Sequence, residues 1–312
     1  MTISTIGVDI SKDTLDVHRH PAGDYRQFSN DTRGFKALIK WLGKEPVSRI
    51  VFEATGAYHQ AFEQTLDKAG LPLSKVNPRN ARRFCEAIGQ LTKTDRVDAA
   101  MLAQLGAMIE PPIRPAPPQI LCDLKQLHVA RKALIKDRTA AKNRQKNLCL
   151  SILKRQTNQR LKQIENQLSE IETAMLELIE GDAELARRFD ILLSIPGVAE
   201  RSAFAILIDM PELGTLDCQT AASLSGTAPR IKQSGKRKGK AFVHGGRPYV
   251  RNMLYMPALV AARFNPDMEA KYQKLIAAGK PSKVALTAIM RKLIILANAL
   301  IRDDRMWNEK LP

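Results

Sequence analysis

The chain has 312 residues, with 49 Lys and Arg against 32 Asp and Glu, a formal net charge of +17. That length holds two or three domains with real cores, and a charge so far from balance asks for a polyanionic partner. Four scattered cysteines without a C-x-x-C pair argue against zinc, no apolar run is long enough to span a bilayer, and the start lacks a secretory signal, so a reducing cytoplasm is expected.

Residues 3–10 read as a buried strand that runs into Asp9 near its end. Residues 14–20 alternate like a second strand, and residues 25–29 suggest a third. A helix is predicted over 32–42, with Phe35, Leu38, Ile39 and Leu42 on one face. Residues 49–52 form a short apolar strand that again runs into an acid, Glu53. A helix over 58–69, a strand at 73–76 and helices near 81–88 and 96–108 complete the unit. Strands first, then alternating helix and strand, predict an α/β domain with a mixed sheet.

The proline-rich segment 111–118 cannot be regular helix and marks a boundary. About sixty residues without Gly or Pro follow, a length that suits long helices. Residues 119–160 carry 11 bases against Asp123 and Asp137, a plausible nucleic-acid contact. Leu161, Ile164, Leu168, Ile171, Met175 and Leu178 step like a coiled-coil seam, in a helical hairpin or a long coiled coil. From Leu192 the text L-L-S-I-P-G-V-A-E-R resembles a helix-hairpin-helix, whose turn would offer N–H groups to a phosphate. Helices are predicted over 249–264, 267–278 and 283–302.

Net charge climbs along the chain, from +2 over residues 1–110 to +5 over 111–182 and +10 over 183–312. From Cys218 to Pro266 there is no acid at all. Arg230, Lys232, Lys236, Arg237, Lys238, Lys240, Arg247 and Arg251 all lie in that stretch and are the expected nucleic-acid contacts. Ser234 heads the run S-G-K-R-K-G-K, where a phosphodiester would lie, and is a candidate nucleophile. A phosphate contact without covalent chemistry is the simpler role for the same hydroxyl. Ser225 suits a turn and Ser202 the hairpin, while Tyr249 and Tyr255 keep a tyrosine-recombinase reading open.

Asp9 and Glu53 lie at strand ends, and Asp95 and Asp98 share one face at the start of a helix. Singly, each is more ordinarily structural, as a strand-end acid, a cap or half of an ion pair. Together they form the pattern of an RNase-H-like site that holds two divalent cations, and oxygen ligands suit Mg²⁺.

The motifs G-V-D-I-S-K, E-A-T-G-A-Y, V-N-P and K-T-D-R-V-D-A resemble the RuvC-like DEDD domain of certain bacterial insertion-sequence transposases. L-S-G-T-A-P, Q-S-G-K-R-K-G-K and H-G-G-R-P-Y-V-R-N-M-L-Y-M resemble their C-terminal domain. These enzymes are similar to RNA-guided bridge recombinases. The resemblance implies a composite site, with Asp9, Glu53, Asp95 and Asp98 as the acids and Ser234 as the serine. It also implies Mg²⁺, donor and target DNA, a guide RNA and a homo-oligomer.

The expected architecture is a RuvC-like α/β domain over 1–110, a Pro-rich linker and coiled coil over 111–182, and a mainly α domain over 183–312. The expected function is a DNA transposase or recombinase. A Holliday-junction nuclease that uses water and a non-catalytic nucleic-acid-binding repair factor are the alternatives.

Overall fold

The computed structural model describes residues 3–43, 45–54, 56, 58–90, 92, 94–231, 233–235, 237–239 and 241–308, without the side chains of Arg237 and Lys238. The chain divides after Pro118 into two compact units.

The first unit runs β1 (Ser4–Ile10), β2 (Thr14–His20), β3 (Tyr25–Ser29), α1 (Thr32–Leu42), β4 (Val47–Glu53), α2 (Gln60–Lys68), β5 (Leu73–Val76), α3 (Pro78–Ala87) and α4 (Asp95–Ile109). Its five-stranded sheet has the order β3-β2-β1-β4-β5. The β1–β2 and β2–β3 pairs are antiparallel, and β1–β4 and β4–β5 are parallel. The mixed sheet read from the alternation is therefore present. Ile6 and Val8 join Phe35, Leu38, Phe62 and Leu66 in the core under α1 and α2. The other face carries Val51, Val76, Leu102 and Leu105.

Helix α4 lies close on β1 because both surfaces are stripped of side chains. A Cβ on Gly7 would stand 2.0 Å from the Ala99 carbonyl oxygen and 2.3 Å from the Ala103 nitrogen. Gly106 meets Val51 and Thr5 in the same way. Thr94 caps the helix, its hydroxyl accepting from the Val97 N–H at 3.3 Å.

The proline segment is tied to this unit rather than running free. The fully buried Ser74 hydroxyl donates to the carbonyls of Pro111 and Pro112, 3.0 Å from each. Arg49 reaches the Pro111 carbonyl at 2.9 Å, and the Arg114 N–H donates to the Leu73 carbonyl at 2.9 Å.

The second unit begins with two long helices, α5 (Gln119–Gln145) and α6 (Ser151–Glu180). It continues through α7 (Ala183–Ser194), α8 (Glu200–Asp209) and α9 (Cys218–Leu224). Four short strands follow, β6 (Pro229–Arg230), β7 (Gln233–Ser234), β8 (Arg237–Lys238) and β9 (Phe242–Val243). Helices α10 (Pro248–Met253), α11 (Tyr255–Phe264), α12 (Pro266–Ala277) and α13 (Ser282–Arg302) close the chain.

The α5–α6 pair is a hairpin within the chain, and its inner residues join the core of the second unit instead of forming a separate body. Leu124, Met175 and Ile179 pack with residues of α7, α8 and α13 in one cluster. Ile164 and Leu168 of the seam are buried too. The basic face of α5 is partly used inside the unit. Arg131, 1% exposed, pairs with Glu172 at 2.7 Å, and Arg138 pairs with Glu165 at 3.1 Å.

The Pro196-Gly197 turn joins α7 to α8 as expected and backs onto α11, since a Cβ on Gly197 would stand 2.6 Å from the Pro257 carbonyl oxygen. Two expectations need correction here. Residues 249–264 form two helices rather than one, and the second starts two residues before Pro257, where proline is tolerated in a first turn. Helix α13 is long and apolar enough to cross a membrane, with mean hydropathy 1.9. Here it is a core helix, with Ile289, Leu293, Ile294 and Leu300 buried.

Candidate active site

Asp9 is the penultimate residue of β1 and Glu53 the last of the adjacent parallel strand β4. The register Val8↔Phe52 brings the two acids side by side at the C-terminal ends of two central strands. Side chains alternate along a strand, so Asp9 shares the face of Gly7, on which α4 lies. Asp95 and Asp98 sit in the first turn of α4. The glycine-mediated contact thus sets that turn over the end of β1, and the positive pole of the helix offsets part of the added negative charge.

All four acids line one cavity of about 340 Å³, together with Arg82 and Cys85 of α3. Burial raises the Asp9 pKa to about 6, helped by the charges of Asp98, Asp95 and Glu53. Such repulsion is what a divalent cation would relieve, and the donor set is all oxygen, so the residues fit Mg²⁺. Among the described residues no three acids, histidines or cysteines stand close enough to make a ready-formed cage.

Sequence reasoning missed Arg82 and Cys85. Pro78, Ala81, Arg82 and Cys85 follow one helical face, but that spacing does not say what the face meets. Burial, followed by the charge of Asp98, pushes the Cys85 thiol up, so it is no ready thiolate.

Ser234 lies in the second unit. It is exposed on β7, pairs across the ribbon with Arg237, and is followed by Gly235 at φ 53°. The β6–β9 pair forms the base of this two-stranded arm, and β7–β8 its outer part. The structure therefore places the acids in the first unit and the serine in the second. Lys232, Lys236 and Lys240 lie outside the described residues, as do the side chains of Arg237 and Lys238.

Of the other expected phosphate contacts, Arg230 is exposed at the base of the arm. Arg247 has an internal partner, reaching both Glu212 oxygens at 2.8 and 2.6 Å and the Asp209 carbonyl at 2.7 Å. Arg251 donates to the carbonyls of Gly245 and Gly226 at 3.0 and 3.3 Å. Both arginines brace the root of the arm. Ser225 is buried in a turn, bonded to Thr227 at 2.9 Å, and Ser202 is buried in α8. The Tyr249 ring packs edge-on against His128, with the Lys132 ammonium 4.2 Å from its centre.

Two family models match the chain. Residues 6–154 match a transposase model of the DEDD, IS110 type. Residues 189–273 match a model described as the transposase IS116/IS110/IS902 family. The pilin gene-inverting protein of Moraxella bovis is 28% identical over 326 residues, covering 100% of this chain and 99% of the relative. That of Moraxella lacunata is also 28% identical, over the same shares of 100% and 99%. An uncharacterized 42 kDa protein of insertion element IS900 from Mycobacterium paratuberculosis is 28% identical over 145 residues, 42% of this chain and 35% of that protein. Separate segments in the N-terminal and the C-terminal regions are thus each similar to transposase family models.

Proposed function

We propose that this chain is the DNA transposase or recombinase of an insertion sequence, which cuts and exchanges strands through a covalent serine–phosphate link. The observation that carries the reading is the meeting of Asp9, Glu53, Asp95 and Asp98 around one cavity, inside the segment that matches a DEDD transposase model. A mixed sheet of three antiparallel strands extended by two parallel ones supports an RNase-H-like fold for that unit. The relatives named as pilin gene-inverting proteins match over the whole chain, and inverting a gene is itself a DNA strand exchange.

The four acids would hold Mg²⁺, which when bound supplies charge stabilisation to a scissile phosphate. Arg82, on the same cavity wall, adds a guanidinium suited to a phosphate oxygen. Ser234 Oγ would attack phosphorus; the new O–P bond forms as the strand's P–O bond breaks, and the departing oxygen takes up a proton. An exposed serine before a positive-φ glycine, in a segment rich in basic residues, suits that attack. A guide RNA, donor and target DNA, a homo-oligomer and a cytoplasmic setting complete the reading.

Incubation with cognate DNA, with and without Mg²⁺, followed by a denaturing gel tests it. A Mg²⁺-dependent protein–DNA adduct that Ser234→Ala removes is the expected result. One observation favours a second reading, a junction nuclease that uses water: all four acids that line the cavity belong to the first unit, and attack by water needs nothing from Ser234. Strand cleavage that persists in Ser234→Ala would select it.

A further inference from the structure

The outward face of α13 is not used by the core. Lys283 and Val284, then Thr287 and Ala288, then Arg291 follow one another at helical spacing, with Lys283, Val284 and Arg291 exposed. The β6–β9 ribbon lies over this face. Between them is a trough of about 330 Å³, lined by Val243, Val284, Ala288, Thr287, Lys283 and Arg291. Its floor is apolar because Val243, Val284 and Ala288 line it and the Thr287 hydroxyl is taken up by the Lys283 carbonyl, and its rim is cationic. A second hollow continues it past Arg291 to Arg230 and Cys218.

No acid lies in either segment that builds the trough, residues 218–266 and 270–302. The rim charges therefore find no carboxylate within their own segments, and charge complementarity selects an anion with an apolar part. A nucleotide has both, a phosphate for the rim and a flat base for the floor. Duplex DNA keeps its base faces stacked inside and cannot present one to Val243 and Val284. A single strand can.

We infer that this trough binds single-stranded DNA, with one base between the β6–β9 ribbon and α13 and the flanking phosphates on Lys283, Arg291 and Arg230. The inference rests on the strand-exchange reading, which supplies such a strand next to the arm. Ser234 is four residues from Arg230 along the arm, so their Cα atoms are at most about 14 Å apart. The trough is thus placed to hold the flank of a strand whose phosphate lies at the serine.

The test is fluorescence anisotropy of the full-length protein with a labelled single-stranded DNA of about a dozen nucleotides, the RNA of the same sequence, and the duplex. Arg291→Glu removes the central cation, and Ala288→Trp fills the floor. Each is expected to weaken single-stranded DNA binding about tenfold, on the scale of one lost stacked base, while duplex affinity stays within about twofold. Arg291 is exposed, so its variant keeps the test decisive if the filled variant unfolds on a thermal melt. Unchanged single-strand affinity in Arg291→Glu overturns the inference. So does an equal loss on duplex, a wild-type preference for the RNA, or a fall in oligomer mass on light scattering that points to a second copy in the trough. The adduct assay on the same preparations reads the strand-exchange proposal separately. A wild-type protein without adduct but with the expected anisotropy pattern would sink that proposal and leave the trough standing.

Discussion

Asp9 and Asp16 face each other across the β1–β2 ladder as direct partners in an antiparallel pair. Two like charges so placed are ordinarily destabilising. Asp16 is 2% exposed and takes hydrogen bonds from the Tyr25 hydroxyl and from Gln27 at 3.2 Å. Asp9 has Asp98, Asp95 and Glu53 on its other side. The C-terminal end of β1 therefore concentrates negative charge, at a cost to the fold.

That cost gives a pH prediction. Asp9 is raised from 3.8 to about 6, so the folded chain binds its proton more tightly than the unfolded chain. Stability from this group is fully present below pH 3.8 and is lost as pH rises to about 6. Asp9→Asn should raise Tm by about 2–3 °C at neutral pH in metal-free buffer, and by almost nothing near pH 4. Scanning calorimetry at both pH values checks this; an equal gain at each would mean that charge is not the cause.

The acids should act as one unit. Asp9→Ala, Glu53→Ala, Asp95→Ala and Asp98→Ala should each abolish strand cleavage while circular dichroism stays that of the parent. Near-normal cleavage by any two would dissolve the metal-site reading.

Gly7→Ala should separate α4 from β1. The added methyl meets backbone at 2.0 Å, which no rotamer can relieve. A loss of about 1–3 kcal/mol in urea unfolding is expected, along with loss of cleavage, because Asp95 and Asp98 ride on that helix. A variant of parental stability and activity would show that the helix position is not critical.

In the second unit Asp209 collects Lys125, His128 and Lys132. Burial alone would raise its pKa, but the hydrogen bonds from His128 and Lys125 outweigh that and hold it well below 3.8. Its contribution is present above pH 3.8 and lost as pH falls further. Asp209→Ala should cost about 3 kcal/mol at pH 7, by stranding the facing bases, and much less at pH 2. Urea titrations at the two pH values read the difference.

Nucleic-acid affinity should fall steeply with salt, by a log–log slope of about −0.9 for each phosphate contacted on duplex DNA. Lys236→Glu should flatten that slope more than Arg247→Glu, because Arg247 already answers Glu212. The reverse order would place the phosphate path at the root of the arm, where Arg247 lies.

Local signals were readable and non-local ones were not. Strand β2, strand β3, helix α1 and strand β5 lie where alternation and the apolar face of residues 32–42 put them. The four acids were legible because strand ends and a helix start are local features that a sheet brings together. Arg247 reads as one more base in an acid-free stretch, yet Glu212, 35 residues earlier, meets it. Likewise, the seam from Leu161 shows a helix with one apolar face, but not that the face belongs to its own chain's core.

Ser74 has a consequence for where the first unit can be divided. Its buried hydroxyl needs the carbonyls of Pro111 and Pro112, and Arg49 needs the first of these as well. A fragment cut at residue 110 would leave a buried donor with no acceptor and would uncover the edge of β5. One that keeps residues 111–118 carries its own seal. The proline segment thus belongs to the first unit, and a fragment meant to fold as that unit has to be cut behind it.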